Sequence, residues 1–324
     1  MNITRIGWYL YKPLSCLKSF FFARLRICDI FIVIFIYILV VDCPHFLSQR
    51  IEIRMELAGF MDNDAWAVLV EPEGKVHVVE IIEGVRKVKG LGVFDAMATI
   101  GGVPYGAVVT LGQKQLTRLP PRLPELSKGM LRRAQTISAK DAGYFVAKLG
   151  IGSGDSILEA GLGSAGLSMH IARALGGSGV HVTVEPRSEH ADVGLKNLTR
   201  ARQSWTEFPE HHHVEGAIED VVSEITKHVD KFDGIILDLP QHPSAIAAVA
   251  PLLAVGGRIA CYCPVTSQVE HAWEACEQAG LNVEWAGELM ERQWGKASKG
   301  GMRPVNGPFG HTAFLLIAQR TSIE

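Results

Sequence analysis

At 324 residues, with 48% hydrophobic and 20% charged side chains, the chain is too long for one small core and too ordinary in composition to be disordered, collagenous or a coiled coil. A net charge of −2 demands no polyanionic partner, and the six cysteines include no C-x-x-C pair, which speaks against a zinc ribbon or a redox motif. The charge is uneven, +4 over residues 1–54 and −6 over the rest, so a nucleic-acid partner would need a local basic face.

Three regions are expected: an N-terminal extension over 1–54, a small β domain over 55–120, and a larger α/β domain over 121–324. Residues 30–41 form an apolar run between Asp29 and Asp42, short of the roughly 20 residues a spanning helix needs. Lys12, Lys18, Arg24 and Arg26 before it would suit a signal anchor, and its β-branched content an aggregation-prone strand. The reading preferred is that Met55 is the true start, because the residues after it read as a soluble, cytoplasmic enzyme. Membrane contact then arises only if residues 1–54 are real and inserted.

From Trp66 to Leu119 short strands alternate with turns: Ala67–Val70, then Glu71-Pro72-Glu73-Gly74, then Lys75–Glu80, and later Ala107–Leu111. That pattern predicts a small antiparallel barrel or sheet. Asp95 there reads as a loop or cap aspartate. Residues 112–148 carry Lys114, Arg118, Arg122, Lys128, Arg132, Arg133, Lys140 and Lys148 against Glu125 and Asp141, net +6. This is either a solvated face or a strip that tracks phosphates.

The strongest local motif is Ser156-Ile157-Leu158-Glu159-Ala160-Gly161-Leu162-Gly163-Ser164-Ala165-Gly166, followed by the helical spacing of Leu167, Met169, Ile171, Ala172 and Leu175. A strand, G-x-G-x-x-G and a helix make a nucleoside-binding turn, and glycine lets the backbone approach a ligand closely. Glu159 before the glycines is awkward beside a pyrophosphate and suits S-adenosylmethionine, which carries an ammonium and a sulfonium. Glu185 ends the next strand, about 20 residues on, where an acid binds ribose hydroxyls in either type of enzyme.

Alternation continues downstream, with a helix over 189–203, a strand His213–Glu215, a helical stretch from Ile218, a strand Phe232–Asp238, a helix over 245–253, a strand Arg258–Cys263 and a helix Ser267–Ala279. Strands alternating with helices predict a doubly wound, mostly parallel sheet whose ligands sit beyond the strands' carboxyl ends. Glu159, Glu185 and Asp238 all fall there. Asp238 is either a turn residue or a carboxylate facing the methyl donor. Within His211-His212-His213, neighbours on one strand face opposite ways and no acid or cysteine stands at metal spacing, so no metal is expected. Cys261 and Cys263 share a strand face and read as core thiols.

These motifs resemble the tRNA (adenine-58-N1)-methyltransferase family, of the archaeal and bacterial single-polypeptide type, from about residue 57 to 320. The resemblance rests on the β domain, on Arg132-Arg133-Ala134-Gln135-Thr136 leading to Lys140-Asp141-Ala142-Gly143, and on the cofactor loop Leu158–Ser164. It rests also on Leu237-Asp238-Leu239-Pro240, on Pro264–Val269, on Arg303-Pro304 and on Gly310-His311-Thr312-Ala313-Phe314-Leu315. The connector and the last segment are the most specific. The resemblance implies a Rossmann-like class I methyltransferase domain acting as a homotetramer on tRNA, with S-adenosylmethionine as cofactor. It implies that Asp238 is catalytic and that Glu185 binds the ribose. Gln135, Thr136, Glu159, Gly161, Leu162, Gly163, Ser164, Ala165 and Gly166 would hold the methionine end, with Pro186, His190, Gly216 and Ala217 completing the cofactor site. Arg132, Arg133, Lys140, Arg292 and Arg303, with Lys296 and Lys299, would hold the RNA. One departure is visible: Ser138-Ala139 stand where the family has Tyr-Pro, so another residue must help place the base.

The chemistry agrees with that expectation. N1 of adenine carries a lone pair and needs alignment with the methyl group more than a base. A carboxylate accepting a hydrogen bond from the exocyclic amine would orient the ring and stabilise the cation that forms, and the base must be unstacked to reach it. A methyltransferase of a small molecule or of protein shares the glycine loop but leaves the β domain and basic connector unexplained. A non-catalytic RNA-binding subunit is disfavoured by the intact Glu159, Gly161, Gly163, Glu185 and Asp238, and a nicotinamide oxidoreductase is the least expected.

Overall fold

The computed structural model describes residues 65–298, 300–305 and 310–323. The extension 1–54 with its apolar run, and Lys299, lie outside the described residues. Among those described, no helix is long and apolar enough to cross a membrane.

Strands β1 (Trp66–Val70), β2 (Val76–Glu80), β5 (Val108–Leu111) and β6 (Lys114–Leu119) form an antiparallel sheet in the order β2-β1-β6-β5. Strands β3 (Val85–Val88) and β4 (Gly92–Asp95) make a separate hairpin. Asp95 caps the short helix α1 (Ala96–Ile100), accepting from the backbone N–H of Ala98 at 2.9 Å and of Gly84 at 2.8 Å. Arg118 is 2% exposed and donates to the carbonyl of Ile100 at 2.8 Å and to that of Val103. This buried cation ties β6 to the turn after α1 and so leaves the basic strip.

Pro120-Pro121 close the small sheet ahead of helix α2 (Leu123–Lys128). No solvent gap opens there. Val68 of β1, Leu126 of α2 and Leu162, Met169 and Leu198 of the larger region share one apolar cluster.

The larger region runs α3 (Ala139–Leu149), β7 (Ser156–Ala160), α4 (Gly166–Leu175), β8 (Val180–Glu185), α5 (Ser188–Ser204), β9 (Glu210–Glu215), α6 (Val222–Ile225), β10 (Phe232–Leu237) and α7 (Pro243–Val249). It continues with β11 (Leu253–Cys263), α8 (Thr266–Gln278), β12 (Asn282–Glu288), a small hairpin β13 (Trp294–Lys296) with β14 (Met302–Pro304), and β15 (Phe314–Gln319). Seven of these strands make one sheet, ordered β12-β15-β11-β10-β7-β8-β9. β15 runs antiparallel to both neighbours, and β11, β10, β7, β8 and β9 are parallel. Central strands such as β10, with Gly234 to Leu237 all buried, are apolar on both faces because helices cover both. The chain order reverses between β7 and β10, which opens a crevice at their carboxyl ends.

Three elements differ from the expectation. β9 begins at Glu210, because its pairing with Val180–Glu185 of β8 recruits residues too polar to read as a strand alone. The helix expected from Ile218 shrinks to the four residues of α6. The helix over 245–253 ends in a 3-10 turn at Ala250–Leu252, where Pro251 has no N–H to continue it, and Leu253 starts β11.

Candidate active site

The crevice is built by close backbone approach. The Asp238 N–H donates to Ala160 O at 2.9 Å, and the Gly161 N–H to Val184 O at 2.9 Å, so the ends of β7, β8 and β10 are stitched together. Gly161 has φ +93°, and a Cβ there would lie 2.3 Å from the carbonyl oxygen of Asp238. Gly166 opens α4 against Thr136, whose Cβ would be 2.9 Å from an added methyl. Between them Ala165, fully buried, holds φ 61°, a left-handed backbone that costs of order 1 kcal/mol outside glycine. That strain keeps the loop tight.

Glu185 is fully buried at the end of β8. Its Oε2 accepts from the Gly163 N–H at 3.0 Å and from Arg187 Nη2 at 3.2 Å. Its Oε1 accepts from the Arg187 N–H at 3.3 Å and from Arg187 Nε at 2.8 Å. Burial alone would raise its pKa, but the Arg187 guanidinium and the two backbone donors outweigh it and hold the carboxylate below its ordinary value. Beside it lies a mostly apolar slot of about 160 Å³, lined by Ala160, Val184, Pro186, Gly216, Ala217, Ile218, Glu219, Leu239, Pro240 and Gln241. Its shape and lining suit a flat heterocycle. The slot gathers the predicted Pro186, Gly216 and Ala217 and adds Ile218, Leu239 and Pro240. His190 sits partly buried on the first turn of α5, and among the described residues no group hydrogen-bonds its Nδ1.

Two further carboxyl groups lie at the ends of the neighbouring strands, Asp238 after β10 and Glu159 near the end of β7. Among the described residues no side chain hydrogen-bonds the Asp238 carboxyl. Burial first, then Glu159 and Glu185, push it up to about 7, with Arg187 opposing. Glu159, expected to meet the cofactor's ammonium, lies beneath the loop at 1% exposure. Ser168 Oγ donates to its Oε1 at 2.9 Å, and its Oε2 is 3.0 Å from His181 Nε2. Burial pushes Glu159 up to about 8 and pulls His181 down to about 3. Both shifts run toward a pair that is neutral overall, with one proton between Oε2 and Nε2. A cation arriving above would favour the carboxylate.

Sequence reading missed Tyr262, which closes β11 at 7% exposure. Burial first, then Asp141 and Asp238, push its phenol up to about 12, and Thr312 hydrogen-bonds it. Its hydroxyl senses the charge of Asp238, while Ser138 caps α3, its Oγ accepting from the Asp141 N–H.

The connector reaches the loop through polar side chains. Ser164 Oγ accepts from the backbone N–H of Arg133 at 3.0 Å and of Ala134 at 3.1 Å. Asn197, 1% exposed on α5, donates to Leu131 O at 2.8 Å and Ser164 O at 3.0 Å and accepts from the Leu131 N–H at 3.0 Å. A legible sign was available: Asn197 falls on the apolar stripe of Gly194, Leu198 and Ala201, where an amide must have buried partners.

Lys140 corrects the RNA expectation. Its ammonium donates to Asp141 Oδ1 at 2.6 Å and Thr312 Oγ1 at 2.7 Å, and Thr312 Oγ1 donates to Asp141 Oδ2 at 2.7 Å. With Asp141 fully buried, Lys140 is the counter-ion that docks the C-terminal segment onto α3. Lys114 is likewise drawn to Glu71 at 2.9 Å. Arg132 and Arg133 remain exposed, as do Gln135 beside them and Arg292 and Arg303 at the hairpin of β13 and β14.

The three consecutive histidines divide between faces. His211 and His213 reach Thr183 Oγ1 at 3.0 and 3.1 Å, while His212 stacks on His228 with centroids 4.0 Å apart. Among the described residues no group of three or more His, Cys, Asp or Glu could hold a metal ion. Cys261 and Cys263 are buried, and burial raises both thiols.

A doubly wound, mostly parallel sheet with a glycine loop tied to the acid that ends its second strand defines a Rossmann-like class I methyltransferase, a class that uses S-adenosylmethionine. Comparison with solved structures agrees on the fold: an S-adenosylmethionine-dependent O-methyltransferase from Thermotoga maritima superposes with TM-score 0.66 at 23% identity, covering 83% of this chain and 97% of that one. The family model of the tRNA methyltransferase complex GCD14 subunit matches residues 119–300, and the chain belongs to that family. Relatives include the tRNA (adenine(57)-N(1)/adenine(58)-N(1))-methyltransferase TrmI of Methanocaldococcus jannaschii, 30% identical over 61% of this chain and 76% of that protein. The tRNA (adenine(58)-N(1))-methyltransferase TrmI of Thermus thermophilus is 29% identical over 78% of this chain and 96% of its own length.

Proposed function

We infer that the protein transfers a methyl group from S-adenosylmethionine to N1 of adenine 58 in the T-loop of tRNA. The observation that carries this reading is a half-buried Asp238, whose carboxyl no side chain among the described residues hydrogen-bonds, at the strand ends shared with Glu185 on a chain of the GCD14 family. When bound, the cofactor supplies an electrophilic methyl on a sulfonium. Glu185 and the Gly163 backbone hold the ribose end, the slot between Pro186 and Leu239 takes the adenine, and the loop Gly161–Gly166 with Gln135 and Thr136 encloses the methionine end. Asp238 accepts a hydrogen bond from the exocyclic amine of the target adenine, and so turns N1 toward the crevice and offsets the positive charge that methylation leaves on the ring. Tyr262, whose hydroxyl senses the Asp238 charge, is assigned to orienting the base. The deciding experiment incubates the protein with unmodified tRNA and S-adenosylmethionine, identifies the modified base by digestion to nucleosides, and locates it by primer extension, which stops where N1 is methylated. It is expected to yield 1-methyladenosine at position 58; methylation elsewhere, or none, would overturn the reading.

The roles of single residues are proposals with their own tests. Glu185→Ala removes charge-assisted acceptors and is expected to weaken cofactor binding by about 1–3 kcal/mol, read by calorimetry. An unchanged dissociation constant would remove Glu185 from the ribose. Arg132 and Arg133 are proposed to contact RNA phosphates, which their exposure supports. Their double alanine variant is expected to flatten the dependence of log K for tRNA on log salt by roughly 1.4–1.8. An unaltered slope would move the RNA path to Arg292 and Arg303.

We also propose a cytoplasmic homotetramer. Trp294 and Met302 on the β13–β14 hairpin, with Met290 before it, are 58–68% exposed, an apolar surface that a second subunit would cover. Sedimentation of a variant with Trp294 and Met302 changed to serine is expected to show smaller species.

A further inference from the structure

The carboxylate of Glu185 has no acceptor site left. A carboxylate offers about four lone-pair sites, and all are taken: two by the backbone N–H groups of Gly163 and Arg187, two by Nε and Nη2 of the Arg187 guanidinium. The backbone donors are fixed by the loop and by the start of α5. For ribose hydroxyls to reach Glu185 only the guanidinium can leave, and its side chain is 55% exposed while Glu185 is fully buried. It cannot leave as a neutral group, because a guanidinium does not lose its proton in a protein.

Its surroundings limit where it goes. The charged groups it senses besides Glu185 are Glu189, two residues along, and Asp238 across the crevice. Asp238 sits where the target base arrives, so the released guanidinium stays at the mouth through which the nucleotide enters. A planar fork of this kind suits a phosphate better than a solvated single carboxylate.

We propose that Arg187 is a positioning residue that couples cofactor to RNA: paired with Glu185 it competes with the ribose and, displaced by the cofactor, clamps a phosphate of the incoming nucleotide. The inference rests on the cofactor and tRNA reading above and adds an order to it, cofactor first. By linkage the same free energy tightens cofactor when RNA is bound.

The test measures the affinity of unmodified tRNA for wild type and R187Q, each with and without saturating S-adenosylhomocysteine, across a salt series. In wild type the nucleoside is expected to tighten tRNA about 5-fold or more. In R187Q that gain falls below about 2-fold, and the loaded complex loses about 0.7–0.9 from its salt slope, one phosphate contact. Without the nucleoside the two proteins bind tRNA alike. R187K keeps the charge but not the fork and is expected to recover the slope and part of the gain. S-adenosylmethionine alone binds R187Q at least as tightly as wild type, because its internal competitor is gone. Equal coupling in both proteins, or weaker binding of S-adenosylmethionine to R187Q, overturns the role given to Arg187. Failure of wild type to bind S-adenosylmethionine at all would instead overturn the cofactor reading beneath it.

Discussion

Asp238→Ala is expected to lower kcat by about 10²–10³-fold, the scale on which a single preorganised stabiliser of transition-state charge acts, while the dissociation constant of S-adenosylmethionine moves little. The side chain has no structural hydrogen bond to lose, so the variant should fold normally; turnover close to wild type would remove Asp238 from the chemistry. Its elevated pKa gives a second reading. The working form is the carboxylate, so kcat/KM, which reports groups of the free enzyme, is expected to rise with pH through about 7. Stability moves the other way. The folded carboxyl holds its proton to about 7, whereas the unfolded one loses it near 3.8. The cofactor-free protein therefore loses stability as pH climbs between those values. Asp238→Asn carries no charge to bury and should melt above wild type at pH 8, with no difference below pH 4. Parallel melting curves at every pH would contradict the half-buried, charge-crowded setting.

The second large effect is expected at Gly161. A methyl group at this position would lie 2.3 Å from the Asp238 carbonyl oxygen and 3.3 Å from its Cβ, on a backbone at φ +93°. The ends of β7 and β10 would have to part. The expected loss is about 2–4 kcal/mol of stability, together with at least a ~10-fold weaker cofactor complex, since the shift carries Gly163 away from Glu185. Gly74→Ala separates the two causes. Gly74 has a similar φ, +88°, but open space around it, so it should cost only the roughly 1 kcal/mol of backbone strain and leave cofactor binding intact. If both variants bind alike, the close approach at Gly161 is not what shapes the crevice.

The parts legible in the sequence are those governed by local rules. The G-x-G-x-x-G turn, the acids at strand ends and the alternation of apolar strands with helices are periodic or short-range, so the doubly wound sheet and the places of Glu159, Glu185 and Asp238 could be read from spacing alone. Asp95 was recognisable as a cap for the same reason. Polar strands were harder: Glu210 to His212 belong to β9 only because β8 lends them partners.

Charge partnership was decided by tertiary structure. In sequence, Lys114, Arg118 and Lys140 belong to one basic run with Arg132 and Arg133. Folding assigns the first three to Glu71, to buried carbonyls and to Asp141 with Thr312, and leaves the other two in solvent. Thr312 lies 171 positions from Asp141, a separation that no periodicity reports. The same holds for Tyr262, whose hydroxyl meets Thr312 from a distant strand. Which side chain finds a counter-charge depends on contacts between distant segments and on burial that makes an unpaired charge costly, and both exist only once the sheet has assembled.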